Sequence, residues 1–148
     1  MAVGLFVLYD SFSEFMGDGL IDLDDHVFKI ALVTSTYTWS AAHDLYNDIT
    51  NELTTANGYT IGGGTLPTVT WVRTANITKF TSGNFVWTAS GAGITARRAI
   101  VYDDTAAGKP LLGSYLLDDA PANLVTTSGN QLTVGPHPTN GWFTHQVN

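Results

Sequence analysis

Four histidines (His26, His43, His137 and His145), thirteen carboxylates and no cysteine make up the acid–base and metal-ligating inventory of this 148-residue sequence. The missing thiols exclude a cysteine nucleophile, cysteine-based zinc and iron–sulfur clusters. The histidines show neither H-x₃-H nor H-E-x-x-H spacing, so a metal site would need assembly by tertiary structure alone, and neither metal nor cofactor is expected. Asp18, Asp22, Asp24 and Asp25 invite comparison with a calcium loop. That loop needs a central glycine and a closing glutamate, whereas Asp22-Leu23-Asp24-Asp25-His26 runs straight into an apolar stretch. Asp103-Asp104 and Asp118-Asp119 follow candidate strands, where a glycosidase would place paired carboxylates, but turns use Asp there for its backbone hydrogen bonds. Gly62-Gly63-Gly64 and Gly91-Ala92-Gly93 lack the G-K-[ST] of a phosphate-cradling loop, and no G-x-S-x-G elbow occurs. These residues predict a chain that is not an enzyme. Trp39, Trp71, Trp87 and Trp142 could stack on sugars as a carbohydrate-binding adhesin domain does, although in a β-rich domain most such rings are core.

The elements that must position these residues are short. Val27–Val33, V-F-K-I-A-L-V, is an almost unbroken apolar run rich in β-branched residues and reads as a central strand buried on both faces. It empties into a polar excursion, in which Ala41–Ile49 is expected to hold helical turns with Leu45, Tyr46 and Ile49 inward. Ser11–Met16 reads as a second short helix. Glu14 stands three residues after Ser11 as in a capping box, and Phe12, Phe15 and Met16 form an apolar stripe that Gly17 or Gly19 would end. So short a helix has to dock on its own sheet or on a neighbouring subunit. Before it, Val3–Tyr9 reads as a strand or an extended arm. Gly62-Gly63-Gly64 reads as a flexible break. Further strands are expected at Thr68–Arg73, Ile77–Phe80, Asn84–Thr88, Ile94–Tyr102, Leu111–Leu117, Gln131–Val134 and Trp142–Val147, several with clean two-residue alternation. The predicted fold is mainly β: one antiparallel β-sandwich or small barrel domain over residues 1–148, with one or two short helices and residues 1–20 as an N-terminal arm and short helix. Its core should include Phe28, Ile30, Leu32, Trp71, Trp87, Ile100 and Tyr102.

Charge narrows the partners. The net charge is −7, and residues 1–52 hold nine acids against one base, Lys29. A chain so charged lacks the footprint for phosphate backbones, so nucleic acid is not an expected partner. No apolar run reaches the roughly 20 residues that cross a bilayer, and the apolar opening has no basic segment before Asp10, so neither a membrane partner nor a signal peptide is expected.

Taken in order, D-S-F at Asp10–Phe12 and G-x-I-D-L-D-x-x-x-F-K-x-A-L-V-T-S-x-Y-T at Gly19–Thr38 resemble small virion structural proteins of tailed bacteriophages. The likeness continues through Tyr46-Asn47-Asp48, Glu52–Thr60, Gly62–Leu66, A-R-R-A-I-V-Y-D-D-T at Ala96–Thr105 and P-L-L-G-S-Y at Pro110–Tyr115. The resemblance implies a non-enzymatic particle subunit without a cofactor, foremost a head decoration (cement) protein, with a tail or fibre-associated component as the alternative. It further implies the major capsid protein or another virion protein as partner, a homo-oligomer (a trimer, as decoration proteins commonly sit on shells), assembly in the host cytoplasm and a final place on the outer surface of the head. Candidate contact residues are Phe12 and Phe15 on the short helix, the acidic Asp22, Asp24 and Asp25, and the adjacent basic pair Arg97 and Arg98. Strict alternation through Ile94–Tyr102 would put Arg98 on one side with Ile94, Ala96, Ile100 and Tyr102, and Arg97 on the other with Thr95, Ala99 and Val101. One arginine is then expected to pair with Asp22, Asp24 or Asp25 and the other to reach a neighbouring subunit.

Overall fold

The computed structural model describes residues 4–120 and 122–147. In chain order the elements are β1 (Val7–Leu8), α1 (Phe12–Gly17), β2 (Phe28–Val33), β3 (Gly64–Thr65), β4 (Thr70–Thr74), β5 (Ile77–Thr81), β6 (Phe85–Thr88), β7 (Ile94–Ala96), β8 (Arg98–Asp103), β9 (Leu111–Leu116), β10 (Leu124–Thr126), β11 (Gln131–Val134) and β12 (Phe143–Gln146). With 40% strand against 6% helix the chain is mainly β. Its sheets are antiparallel and do not close into a barrel, so the arrangement is sandwich-like.

β2 is the centre, as its composition predicts. It pairs with β8 from Phe28 opposite Asp103 to Val33 opposite Arg98, and on its other side Ile30 faces Gly64 of β3. The full sheet runs β1-β9-β8-β2-β3. Its front face carries Phe28, Ile30, Leu32, Ala99, Val101 and Leu112, which pack against side chains of three smaller sheets, β12-β5-β4, β11-β6 and β10-β7. Phe80, Trp87, Leu132 and Val134 are the main contributions from that second layer. Fully burying one such aliphatic or aromatic side chain contributes about 1.5–3 kcal/mol.

The back face of the central sheet is apolar too, which is why β2 shows no alternation. Ala31, Val33, Ile100, Tyr102 and Leu111 form a second cluster with Tyr9 and Tyr37, and Trp39, Tyr46 and Ile49 close over it. The polar excursion after β2 is therefore a cover for this face. It holds a single 3₁₀ turn, Tyr46–Asp48, in place of the expected helical turns over Ala41–Ile49. Asp48 Oδ2 takes the amides of Asp44 and Leu45, and the Tyr46 amide donates to Lys109 O, so donors that a helix would need are already used.

Of the expected Val3–Tyr9 arm, Val3 lies outside the described residues; the rest lies along β9, with Gly4 N donating to Leu116 O and Tyr9 N to Leu112 O. α1 docks on its own chain through Phe12, whose ring meets Phe143 edge-on at 5.1 Å. The capping box is not formed: Ser11 makes no side-chain cap and its Oγ is buried without a partner. The helix does end as predicted, with Gly19 at φ 73° and the amides of Gly19 and Leu20 returning to Met16 O and Phe15 O.

Two further expectations need correction. Of the predicted core residues, Trp71 is only half-buried, packing at the margin against Phe143. The predicted strand Ile94–Tyr102 is two strands broken at Arg97, whose amide donates to Val33 O and whose carbonyl accepts from Leu117. The break reverses the side-chain phase: Ile94 and Ala96 share the front core with Ala99 and Val101, while Ile100 and Tyr102 lie on the back face.

Candidate functional site

Arg97 and Arg98 lie where β8 begins, and neither pairs with Asp22, Asp24 or Asp25. Arg97 is half-buried and donates from Nε to Asn123 Oδ1 at 3.0 Å. Arg98, also half-buried, donates to Ser114 Oγ at 2.9 Å and lies 5.3 Å from the centre of the Trp39 ring. Burial holds its pKa below the ordinary guanidinium value, against the opposing pull of Tyr9 and Tyr37. The expected internal carboxylate partner is replaced by a hydroxyl and an aromatic face, a weakly hydrated planar cation being suited to both. The register is the cause: Arg98 lies opposite Val33, at the far end of β2 from Phe28, which the acidic turn precedes.

The acidic turn is used locally. Asp22 Oδ1 accepts the amides of Asp24 and Asp25 at 3.0 and 3.2 Å, and these two backbone bonds hold its carboxyl below the ordinary range. Asp24 and Asp25 remain exposed. At the end of the same turn His26 Nδ1 donates at 2.6 Å to Oδ2 of fully buried Asp103, whose Oδ1 takes the amides of Thr105 and Ala106. Asp103 thus does what Asp does in turns, and it also clamps the entry of β2 to the exit of β8. Next to it, Asp104 bridges Lys29 at 3.0 Å and Lys109 at 2.7 Å. Burial pushes the Asp104 carboxyl up, but the two lysines outweigh it and hold it below the ordinary range. Asp118 likewise accepts the Ala120 amide, a turn bond and not half of a carboxylate pair.

Two polar clusters under the cover were not legible in the sequence. Glu52 accepts from the Tyr46 and Tyr59 hydroxyls and from the Gly62 amide, while the Tyr59 oxygen accepts the Leu32 amide and Tyr102 donates to Gly62 O. Burial first, and then the bond each donates to Glu52, push the Tyr46 and Tyr59 phenols far above their ordinary pKa. The second cluster links Tyr9 to Tyr37 at 3.4 Å and Tyr37 to His43 Nδ1 at 2.8 Å. His26 and Asp103 stand 77 positions apart, and no local pattern joins Glu52 to its tyrosines; a polar residue inside an aromatic-rich excursion was the one available hint.

Chemically, these groups tie segments together. Among the described residues no group of three or more histidines and carboxylates converges on a metal-sized site. The hollow between β10 and β11, about 580 Å³, is lined by side chains such as Leu117, Leu124, Leu132, Asn84 and Gln131, which supply neither acid nor base. Trp87 and Trp142 are buried and Trp39 and Trp71 half-buried, so the four indoles do not form one exposed stacking face. Phe12 is buried inside its own chain, and Phe15 packs half-buried against the same core. No helix among the described residues is long and apolar enough to cross a membrane. No protein-family model, curated protein or solved structure matches the chain.

Proposed function

We propose that this chain is a non-enzymatic structural subunit of a tailed-bacteriophage virion, a head decoration protein that sits as a homo-oligomer on the outer surface of the shell and bridges neighbouring capsomers of the major capsid protein. The observation that carries this reading is the position of the residues on which the phage resemblance rests. F-K-x-A-L-V is β2, A-R-R-A-I-V-Y-D-D-T is the end of β7 with all of β8, and P-L-L-G-S-Y leads through β9. Tyr46-Asn47-Asp48 belongs to the cover of the back face, whereas Glu52–Thr60 reaches the front core, where Tyr59 packs beside Trp87, and Glu52 fixes the Tyr46 and Tyr59 hydroxyls. The likeness is thus one of scaffold and cover, which is where a subunit built for assembly carries its specification. Ionisable residues within it, Asp103, Asp104, Lys29 and Glu52, hold loops in place.

The test is a whole-particle density map of the phage that encodes the chain, together with particles lacking it. The protein is expected on the head at regular positions between capsomers, and particles without it should assemble but lose resistance to heat or pressure until purified protein is added back. Density confined to the tail or its fibres, or depleted heads as robust as complete ones, would overturn the assignment.

A further inference from the structure

β10 and β11 are consecutive strands joined by a short turn, yet they do not pair with each other: β10 belongs to β7 and β11 to β6. In place of that pairing lies the hollow of about 580 Å³ between them. Its β11 wall is an open strand edge. The Ala89 amide donates to Asn130 O, and bonded pairs alternate along an antiparallel ladder. Leu132 and Val134 therefore bond to β6, while the backbone groups of Gln131 and Thr133 face away from it, and among the described residues nothing takes them up. Leu117, Leu124 and Leu132 line the interior, and no charged side chain does. Open edges occur elsewhere in this fold; what sets this one apart is Tyr115. Together with Gly135 and Pro136 it lines this hollow and also a second one, of about 490 Å³, beside Phe6 and Trp142. Tyr115 is 4% exposed. The Gly135 amide approaches its oxygen without reaching hydrogen-bond geometry, which places the hydroxyl at the wall common to both hollows, and its proton has no acceptor. A buried hydroxyl left unpaired costs stability until an acceptor reaches it.

We propose that this hollow is a slot for an extended, uncharged segment of a different polypeptide, which adds as a strand along Gln131–Val134, sets an apolar side chain among Leu117, Leu124 and Leu132, and gives a backbone carbonyl to the Tyr115 hydroxyl. Each feature answers one part of such a ligand. The free amides and carbonyls of Gln131 and Thr133 stand at strand spacing and bind main chain. The leucines accept the apolar side chain, and an interior without counter-charge rejects an ionised one. The phenol is a donor already removed from water, so the carbonyl that meets it competes with nothing. The segment is not one of the chain's own described ends, because these are already engaged, Gly4 N on Leu116 O and Val147 N on Asn76 O. The inference does not rest on the virion reading.

The probes are short peptides, acetylated and amidated, with threonine at every position except the centre, which is leucine, phenylalanine, glutamate or lysine, and a leucine peptide N-methylated at alternate residues. Added to the nitrogen-15-labelled full-length chain, the leucine or phenylalanine peptide should bind saturably, shift the amide signals of Gln131 and Thr133 and slow their hydrogen exchange. The charged and the N-methylated peptides should bind about tenfold more weakly or not at all. Tyr115→Phe removes an unpaired hydroxyl, so its thermal midpoint should stay level or rise while peptide binding weakens about tenfold. Several results would each overturn the proposal: no saturable binding, binding indifferent to N-methylation as a merely apolar hole would give, or Gln131 and Thr133 amides already protected in the free chain by a second copy. A Tyr115→Phe variant that binds like the parent, or is less stable than it, would do the same. Absence of the protein from phage heads would instead overturn the function and leave the slot standing.

Discussion

A guanidinium that gives up part of its hydration has to recover the interaction elsewhere, and Arg98 does so with Ser114 Oγ at 2.9 Å and the Trp39 face at 5.3 Å. Its long stem also covers the back-face cluster beside Tyr9. The two contributions separate by substitution. Arg98→Met retains most of the stem and removes a charge that burial disfavours, so the urea midpoint should stay level or rise. Arg98→Ala removes both and should lower stability by about 1–2 kcal/mol, as Trp39 loses the surface it rests on. Arg97, bonded to Asn123 at the margin of the fold, should tolerate alanine within about 0.5 kcal/mol. If Arg98→Met costs as much as Arg98→Ala, the cation itself, and not its packing, is what the site requires.

At the scale of elements, the run Gly62-Gly63-Gly64 shows how composition can point to the right residues for the wrong reason. Read as a flexible break, it is in fact a close crossing: a Cβ on Gly63 would stand 1.9 Å from Ile30 O, and one on Gly64 2.1 Å from the Phe85 ring. Gly63, at φ 70°, does use the freedom that only glycine has. Gly64→Ala and Gly63→Ala should each lower stability by about 1–3 kcal/mol, read from the shift of the urea midpoint. Full tolerance of Gly63→Ala would mean that this crossing does not press on β2, and full tolerance of Gly64→Ala that it does not press on Phe85 of β6. The strands that alternate or carry strong turn signals, β4, β5, β6, β9 and β11, were legible to within a residue or two, because a half-buried ribbon writes its period into the sequence. β3 and β10, two and three residues long, are too short to show one. The reversal at Arg97 was hidden because two strands serving different sheets follow each other without glycine or proline between them. The cover was misread as helical because its inward residues satisfy a helical spacing, whereas Asp48 and Lys109 O had already taken the amides. For the candidate contact residues the sequence supplied residue types, but the pairing partners depended on a strand register that only the folded chain displays.

For the molecule as a whole, burial of tyrosines on both faces of the central sheet has one collective acid–base consequence. All six tyrosines, Tyr9, Tyr37, Tyr46, Tyr59, Tyr102 and Tyr115, have pKa values raised above the ordinary 10, with burial the leading cause in each. A group whose folded pKa is raised contributes stability that is complete below its unfolded pKa and is lost as pH climbs from there toward the folded value. The fold should therefore keep its tyrosine-derived stability up to about pH 10 and lose it above. Tyrosinate absorbance should appear in one step coinciding with loss of the far-ultraviolet dichroism, and an early, separate ionisation of even one phenol would contradict this burial. The pairing of the central sheet also carries a consequence in time. β2 meets β8 with Phe28 opposite Asp103, and β1 meets β9 with Val7 opposite Ser114. A ribosome delivers these partners in order, so β2, apolar on both faces, emerges long before the strand that pairs with it. Until β8 follows, the nascent chain carries its stickiest segment largely unprotected, and the rate of synthesis relative to sheet closure decides how much of it folds and how much is lost to aggregation.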